Sequence, residues 1–123
     1  MHYLTITTHF SSAHQLRNYN GNCSNLHGHN WKVKLTFGVN KLNEIGIGCD
    51  FKVLKKIVND KIDILDHTYL NDLDYFQQKN PTAENISEYI FNEVSKIVPD
   101  NIFLYEVEVF ESDKYSVIYR KDS

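Results

Sequence analysis

His14, Cys23, His27 and His29 lie in one short stretch, which holds half of the chain's six histidines and one of its two cysteines. Neutral imidazole is the commonest protein ligand for zinc, and three protein ligands with one position left open make a catalytic rather than a structural site. Cys23 can close a four-ligand structural site, or stay outside the metal shell as a thiol whose thiolate is favoured by the nearby cation. An HxH pair by itself also arises without function, each ring hydrogen-bonding at a surface. In extended backbone His27 and His29 project to the same side. Gly28 between them lets another group approach the main chain closely. His14 reaches the same point if its strand pairs with theirs.

Two further places carry chemistry. Asp66 and His67 are neighbours, a proton carrier and a carboxylate that can fix its tautomer; the plain alternative is a histidine dressing the negative end of a helix. Glu111 shares strand parity with Val107 and Val109, and a carboxylate on a core face is costly unless paired. It can take up the amino-imino edge of a heterocycle through charge-assisted hydrogen bonds, or face solvent ahead of Ser112. Cys49 reads as an inert buried thiol, and both cysteines as reduced.

The elements that must position these groups follow from periodicity. Alternation predicts strands over His2 to Phe10 and Trp31 to Val39. Helical spacing of Phe51, Leu54, Ile57, Val58, Ile62 and Leu65 predicts a helix capped by Asp50. A second helix carries Ile86, Tyr89, Ile90, Val94, Ile97 and Val98, with Thr82 at its start and Pro99 beyond its end. Strands over Ile102 to Glu111 and Tyr115 to Arg120 close the chain as a hairpin through Ser112-Asp113-Lys114. The expectation is an α+β domain, ββααββ, with an antiparallel four-stranded sheet and both helices on one face.

At 123 residues the chain reads as a single domain over residues 1–123, and 41% hydrophobic with 24% charged residues is ordinary for a soluble protein. The formal charge of −3 argues against a nucleic-acid partner. No apolar run reaches the ~20 residues of a membrane span and the opening residues do not read as a signal peptide, so a cytoplasmic protein is expected.

In combination these residues resemble the 6-pyruvoyltetrahydropterin synthase family, closest to the 6-carboxytetrahydropterin synthases of queuosine biosynthesis. The carriers are Phe10-Ser-Ser-Ala13-His14, Cys23-Ser-Asn-Leu-His27-Gly-His29, Asp50-Phe51 ahead of Leu54-Lys55, Leu65-Asp66-His67-Thr-Tyr-Leu70-Asn71, Asn80-Pro81-Thr82-Ala83-Glu84-Asn85 and Val109-Phe110-Glu111. The short gap from Cys23 to His27 and the Asp50-Phe51 and Asn80-Pro81-Thr82 spellings point to the carboxy branch. Cys49 stands where an aliphatic residue is usual.

The resemblance implies zinc on His14, His27 and His29, with Cys23 as a nearby base and Asp66 and His67 as its proton relay. It places Glu111 on the pterin ring and Thr82 in the same pocket. The implied substrate is 7,8-dihydroneopterin triphosphate, and the implied products are 6-carboxy-5,6,7,8-tetrahydropterin, acetaldehyde and triphosphate. A pyruvoyl-forming lyase on the same substrate is the alternative within the family, and a non-catalytic zinc-stabilised binding module the alternative outside it. The implied fold is the tunnelling type (T-fold), whose protomers join into a barrel, commonly a homo-hexamer of two stacked trimers. Arg17, Lys32 and Lys114 are the basic candidates for the triphosphate.

Overall fold

In a computed structural model, which describes residues 1–18 and 26–121 with the side chain of His27 excepted, two long strands form the centre of the molecule. β1 (His2–His14) and β2 (His27–Val39) pair antiparallel in unbroken register from His2 opposite Val39 to His14 opposite His27. β4 (Ile102–Phe110) pairs with β2, and β5 (Ser116–Tyr119) with β4, both antiparallel. A two-residue strand, β3 (Thr68–Tyr69), lies parallel to β1 beside Ser12 and Ala13. The sheet order is β3-β1-β2-β4-β5. The expected antiparallel four-stranded arrangement is thus present, and β3 makes the sheet mixed and five-stranded.

β1 and β2 each run several residues beyond the expected strands, through Ser11–His14 and His27–Asn30. There the alternation persists, but the inward positions turn polar. Phe10 pairs with Trp31, Ser12 with His29 and His14 with His27, so the apolar face continues directly into the histidines. β4 carries a bulge that periodicity alone does not show. Thr36 faces Glu106 while Phe37 faces Leu104, leaving Tyr105 as the extra residue. This slip puts Ile102 and Leu104 on the same buried face as Val107 and Val109 despite their odd separation. Gly38 lies close to this irregularity, and a Cβ there would meet the Phe103 ring at 2.3 Å.

α1 (Phe51–Ile62) and α2 (Ala83–Ser95) cover the core. Asp50 caps α1 through the Lys52 N–H, and Thr82 caps α2 through the Asn85 N–H at 3.1 Å. α1 buries Leu54, Val58 and Ile62, while Phe51 is exposed, contrary to its expected place on the apolar stripe. α1 ends at Ile62 and Leu65 reaches the core from the turn that follows; α2 likewise ends before Ile97 and Val98. Two short 3-10 turns, Leu70–Asp72 and Asp74–Phe76, lead from β3 towards α2. Among the described residues no helix is long and apolar enough to cross a membrane.

Candidate active site

The site lies where the core face of β1 and β2 meets the start of α2. Trp31, 1% exposed, forms its floor. Its indole N–H donates to Ser12 Oγ at 3.1 Å, and its ring centre lies 5.1 Å from that of His14 and 4.4 Å from that of His29. The two imidazole centres are 6.1 Å apart. His14, Arg17, His29, Trp31, Thr82 and Glu111 line a cavity of about 380 Å³.

His14 and His29 are each oriented by a carbonyl. Since a carbonyl oxygen only accepts, the facing ring nitrogen carries the proton. His14 Nδ1 donates to Pro81 O at 2.9 Å, and His29 Nε2 donates to Glu111 O at 2.7 Å. In the neutral rings the lone pairs are then on His14 Nε2 and His29 Nδ1. A backbone carbonyl holding the second ring nitrogen is how metal-ligating imidazoles are commonly fixed.

Two imidazoles on one tetrahedral zinc, at Zn–N ≈ 2.0 Å, place their centres roughly 5 Å apart. The observed 6.1 Å is about 1 Å wider than that, and the imidazole donors of His14 and His29 are of the type the ion takes. Among the described residues no three His, Cys, Asp or Glu side chains are gathered as a metal cluster. Of the other expected members, Cys23 lies outside the described residues. His27 is placed by its backbone alone, on β2 opposite His14.

Asp66 and His67 are mounted on the outer edge of β1. Asp66 Oδ1 accepts the Ser11 N–H at 2.9 Å, and the His67 N–H donates to Ser11 O at 2.6 Å. Asp66 Oδ2 is 3.0 Å from His67 Nδ1. His67 adopts φ 53°, a left-handed conformation that a non-glycine residue holds only when its surroundings impose it. Its side chain is 84% exposed, so the imidazole is presented outward. The Ser11 amide holds the Asp66 carboxyl below the usual carboxylate range, with the neighbouring His67 acting in the same direction.

The expected residues do not all share one cavity. Thr82 and Glu111 join His14 and His29, whereas His67 borders a second cavity of about 530 Å³ with Ser11, Gly28 and Asn30. His29 contacts both. Glu111 lies just past β4, exposed at the mouth of the first cavity, and its carbonyl accepts from His29. Thr82 serves as the α2 cap and lines the first cavity.

Of the basic candidates, Arg17 Nη2 donates to Phe76 O and Lys79 O, and Lys32 lies over the Phe110 ring at 4.5 Å. Sequence reasoning missed Trp31 as the floor and Asn71 and Asn80 as binders of the chain after His14. Their only sequence signal was a place inside the Leu-Asn and Asn-Pro-Thr segments of the motifs.

The sequence model of the 6-pyruvoyl tetrahydropterin synthase family matches residues 3–122. The chain belongs to this family. Within it, a protein of Archaeoglobus fulgidus provisionally assigned as a 6-carboxy-5,6,7,8-tetrahydropterin synthase is 38% identical, over 94% of this chain and 93% of that one. A 6-pyruvoyl tetrahydrobiopterin synthase of Poecilia reticulata is 34% identical over 96% and 89%. The solved Caenorhabditis elegans 6-pyruvoyl tetrahydropterin synthase superposes with a TM-score of 0.87 at 27% identity, covering 98% of this chain and 95% of that one. The expected α+β T-fold is therefore the family fold.

Proposed function

We propose that this protein is a zinc-dependent lyase that converts 7,8-dihydroneopterin triphosphate and water into 6-carboxy-5,6,7,8-tetrahydropterin, acetaldehyde and triphosphate. The observation that carries the reading is the cavity in which two carbonyl-oriented imidazoles, His14 and His29, stand beside Thr82 and Glu111. His27, on the strand position opposite His14, supplies the third ligand. Zinc held by these histidines would polarise the hydroxyls of the substrate side chain and acidify the adjacent C–H.

The chain's own groups do the rest. The Glu111 carboxylate accepts paired N–H bonds from the amino-imino edge of the pterin, fixing its orientation. Cys23, as thiolate, removes a proton from the side-chain carbon. Asp66 keeps the proton of His67 on Nδ1, so the exposed Nε2 exchanges protons with Cys23 and the substrate. Loss of triphosphate takes the C–O electron pair with the leaving group. Water then adds to the first side-chain carbon and the bond to the second breaks, leaving the first on the ring as carboxylate, while the other two take that electron pair and a proton and depart as acetaldehyde.

Because His67 borders a separate cavity, the site is best completed between copies of the chain, each dyad serving a neighbour. The open sheet edges favour the same assembly. Among the described residues, no strand flanks the outer side of β1 from His2 to Phe10, and β5 spans four residues. A homo-oligomeric barrel, as a hexamer of two trimers, removes both edges. A cytoplasmic enzyme of queuosine biosynthesis fits this chemistry.

The pyruvoyl-forming lyase is the second reading, favoured by the Poecilia reticulata relative of that name at 34% identity and by the C. elegans superposition. It differs in how the same intermediate collapses. The short spacing from Cys23 to His27 supports the carboxy branch. Mass spectrometry of the products from the zinc-loaded protein tests the choice. A 6-carboxy pterin with acetaldehyde is expected; a 6-pyruvoyl pterin without acetaldehyde would install the second reading. Unchanged substrate would remove both, leaving the zinc-stabilised module in which Cys23 is a fourth ligand.

A further inference from the structure

Beyond His14, no further strand among the described residues pairs with the chain, since β2 begins at His27 and β3 ends at Tyr69. Two asparagine side chains take over. Asn71 Oδ1 accepts the Gln15 N–H at 2.9 Å while Asn71 Nδ2 donates to Gln15 O at 2.8 Å. Asn80 repeats the pattern one strand period later, accepting the Arg17 N–H at 2.8 Å and donating to Arg17 O at 2.7 Å. Each amide satisfies the N–H and C=O of a single residue, as a partner strand does in an antiparallel hydrogen-bonded pair. Alternate residues, 15 and 17, are gripped, so the chain is held extended past the end of the sheet.

The second clasp is itself braced. Asn80 O accepts both the Thr82 N–H and Asn85 Nδ2 at 2.8 Å, tying it to the start of α2. The Arg17 guanidinium returns to the carbonyls of Phe76 and Lys79 in the same loop. Pro81, next to Asn80, offers the carbonyl that holds His14 Nδ1. The path from Arg17 back to His14 and the path from Asn80 on to Pro81 therefore close a small ring, with the His14–Pro81 hydrogen bond on its far side.

We propose that Asn71 and Asn80 are positioning residues for His14: by clasping residues 15 and 17 they keep the His14 ring against the Pro81 carbonyl, which fixes the proton on Nδ1 and aims Nε2 into the cavity. This deepens the reading of His14 as a metal ligand and rests on it. A clasp that only tied down a loop would set stability and leave the imidazole's tautomer and metal affinity alone.

The test is Asn80→Asp in the full-length protein. The substitution keeps the acceptor for the Arg17 N–H but sets a carboxylate oxygen against Arg17 O. Two quantities are read well below the unfolding temperature: the ¹⁵N imidazole shifts of metal-free protein, and zinc affinity by chelator competition. The wild type is expected to show His14 protonated on Nδ1. Asn80→Asp is expected to show mixed tautomers and zinc binding weaker by about tenfold or more. The added negative charge would by itself strengthen binding of a cation, so a loss isolates the geometry.

An unchanged tautomer and affinity in folded Asn80→Asp overturns the proposal. If that variant does not fold, Asn71→Asp is read in the same way, and failure of both to fold also overturns it, because the clasps then build the fold rather than aim the ring. If the wild type binds no zinc yet loses the Nδ1 proton in Asn80→Asp, the metal reading fails and the clasp stands.

Discussion

Trp31→Phe removes the floor of the site, and its cost can be worked from the contacts. The indole is buried beneath His14 and His29, stacks on Phe10 with ring centres 6.1 Å apart, and donates its N–H to Ser12 Oγ. Losing that hydrogen bond costs about 1 kcal/mol. Phenylalanine is roughly 40 Å³ smaller, and an uncollapsed void of that size costs about 1 kcal/mol at ~24 cal/mol per Å³. The apolar area no longer buried adds roughly 0.5–1 kcal/mol. The sum is about 2.5–3 kcal/mol.

Urea unfolding followed by far-UV circular dichroism, at matched protomer concentration, reads it directly. With m of roughly 1.5 kcal/mol per M, the midpoint falls by about 1.7–2 M with m unchanged. A loss under about 0.5 kcal/mol would mean that Trp31 is not packed as described, and the reasoning that makes it the support of His14 and His29 would fail with it.

Thr82→Ala removes the α2 cap and should cost about 1 kcal/mol, read as a lower thermal midpoint; no change would show that the Asn85 N–H does not depend on Thr82 Oγ1. Gly38→Ala should cost about 1–3 kcal/mol through the Phe103 ring, and Phe103→Ala in the same chain should recover part of it in a double-mutant cycle; strict additivity would place the clash elsewhere. The Asp66 carboxyl titrates below its unfolded value, so its stabilising contribution is complete above about pH 4 and is lost as pH falls through the lowered folded value. A ¹³C carboxyl titration should follow that order, and a midpoint at or above the ordinary value would contradict the Ser11 contact. Cys23→Ala should retain zinc and lose turnover while His27→Ala releases the metal, both read by elemental analysis; zinc lost with Cys23 would make it a ligand.

The parts of the fold that were legible in the sequence are those where burial and period coincide. Trp31, Val33, Leu35, Phe37 and Val39 announce β2, and Asp50 and Thr82 mark both helix starts. The strand extensions over Ser11–His14 and His27–Asn30 were not legible, because their inward positions carry the site rather than the core. β3 is too short for any period to show. The β4 bulge at Tyr105 breaks the alternation that would have revealed which residues face inward. For the candidate site, the histidine spacing sets His27 and His29 two apart on one strand, and the register of β1 against β2, which puts His14 opposite His27, appears only in the folded sheet. The Pro81 and Glu111 carbonyls and the Asn71 and Asn80 clasps join residues far apart in sequence, through groups whose identity carries no pattern. The separation of His67 from the Glu111 cavity is likewise a property of the folded sheet.

Triphosphate release from 7,8-dihydroneopterin triphosphate by stripped and zinc-reloaded protein tests the central claim most directly. Stripped protein, verified as folded, should release none, and release should return in proportion to zinc up to one ion per chain. Full release from zinc-free protein, or none from the fully reloaded oligomer, would contradict it.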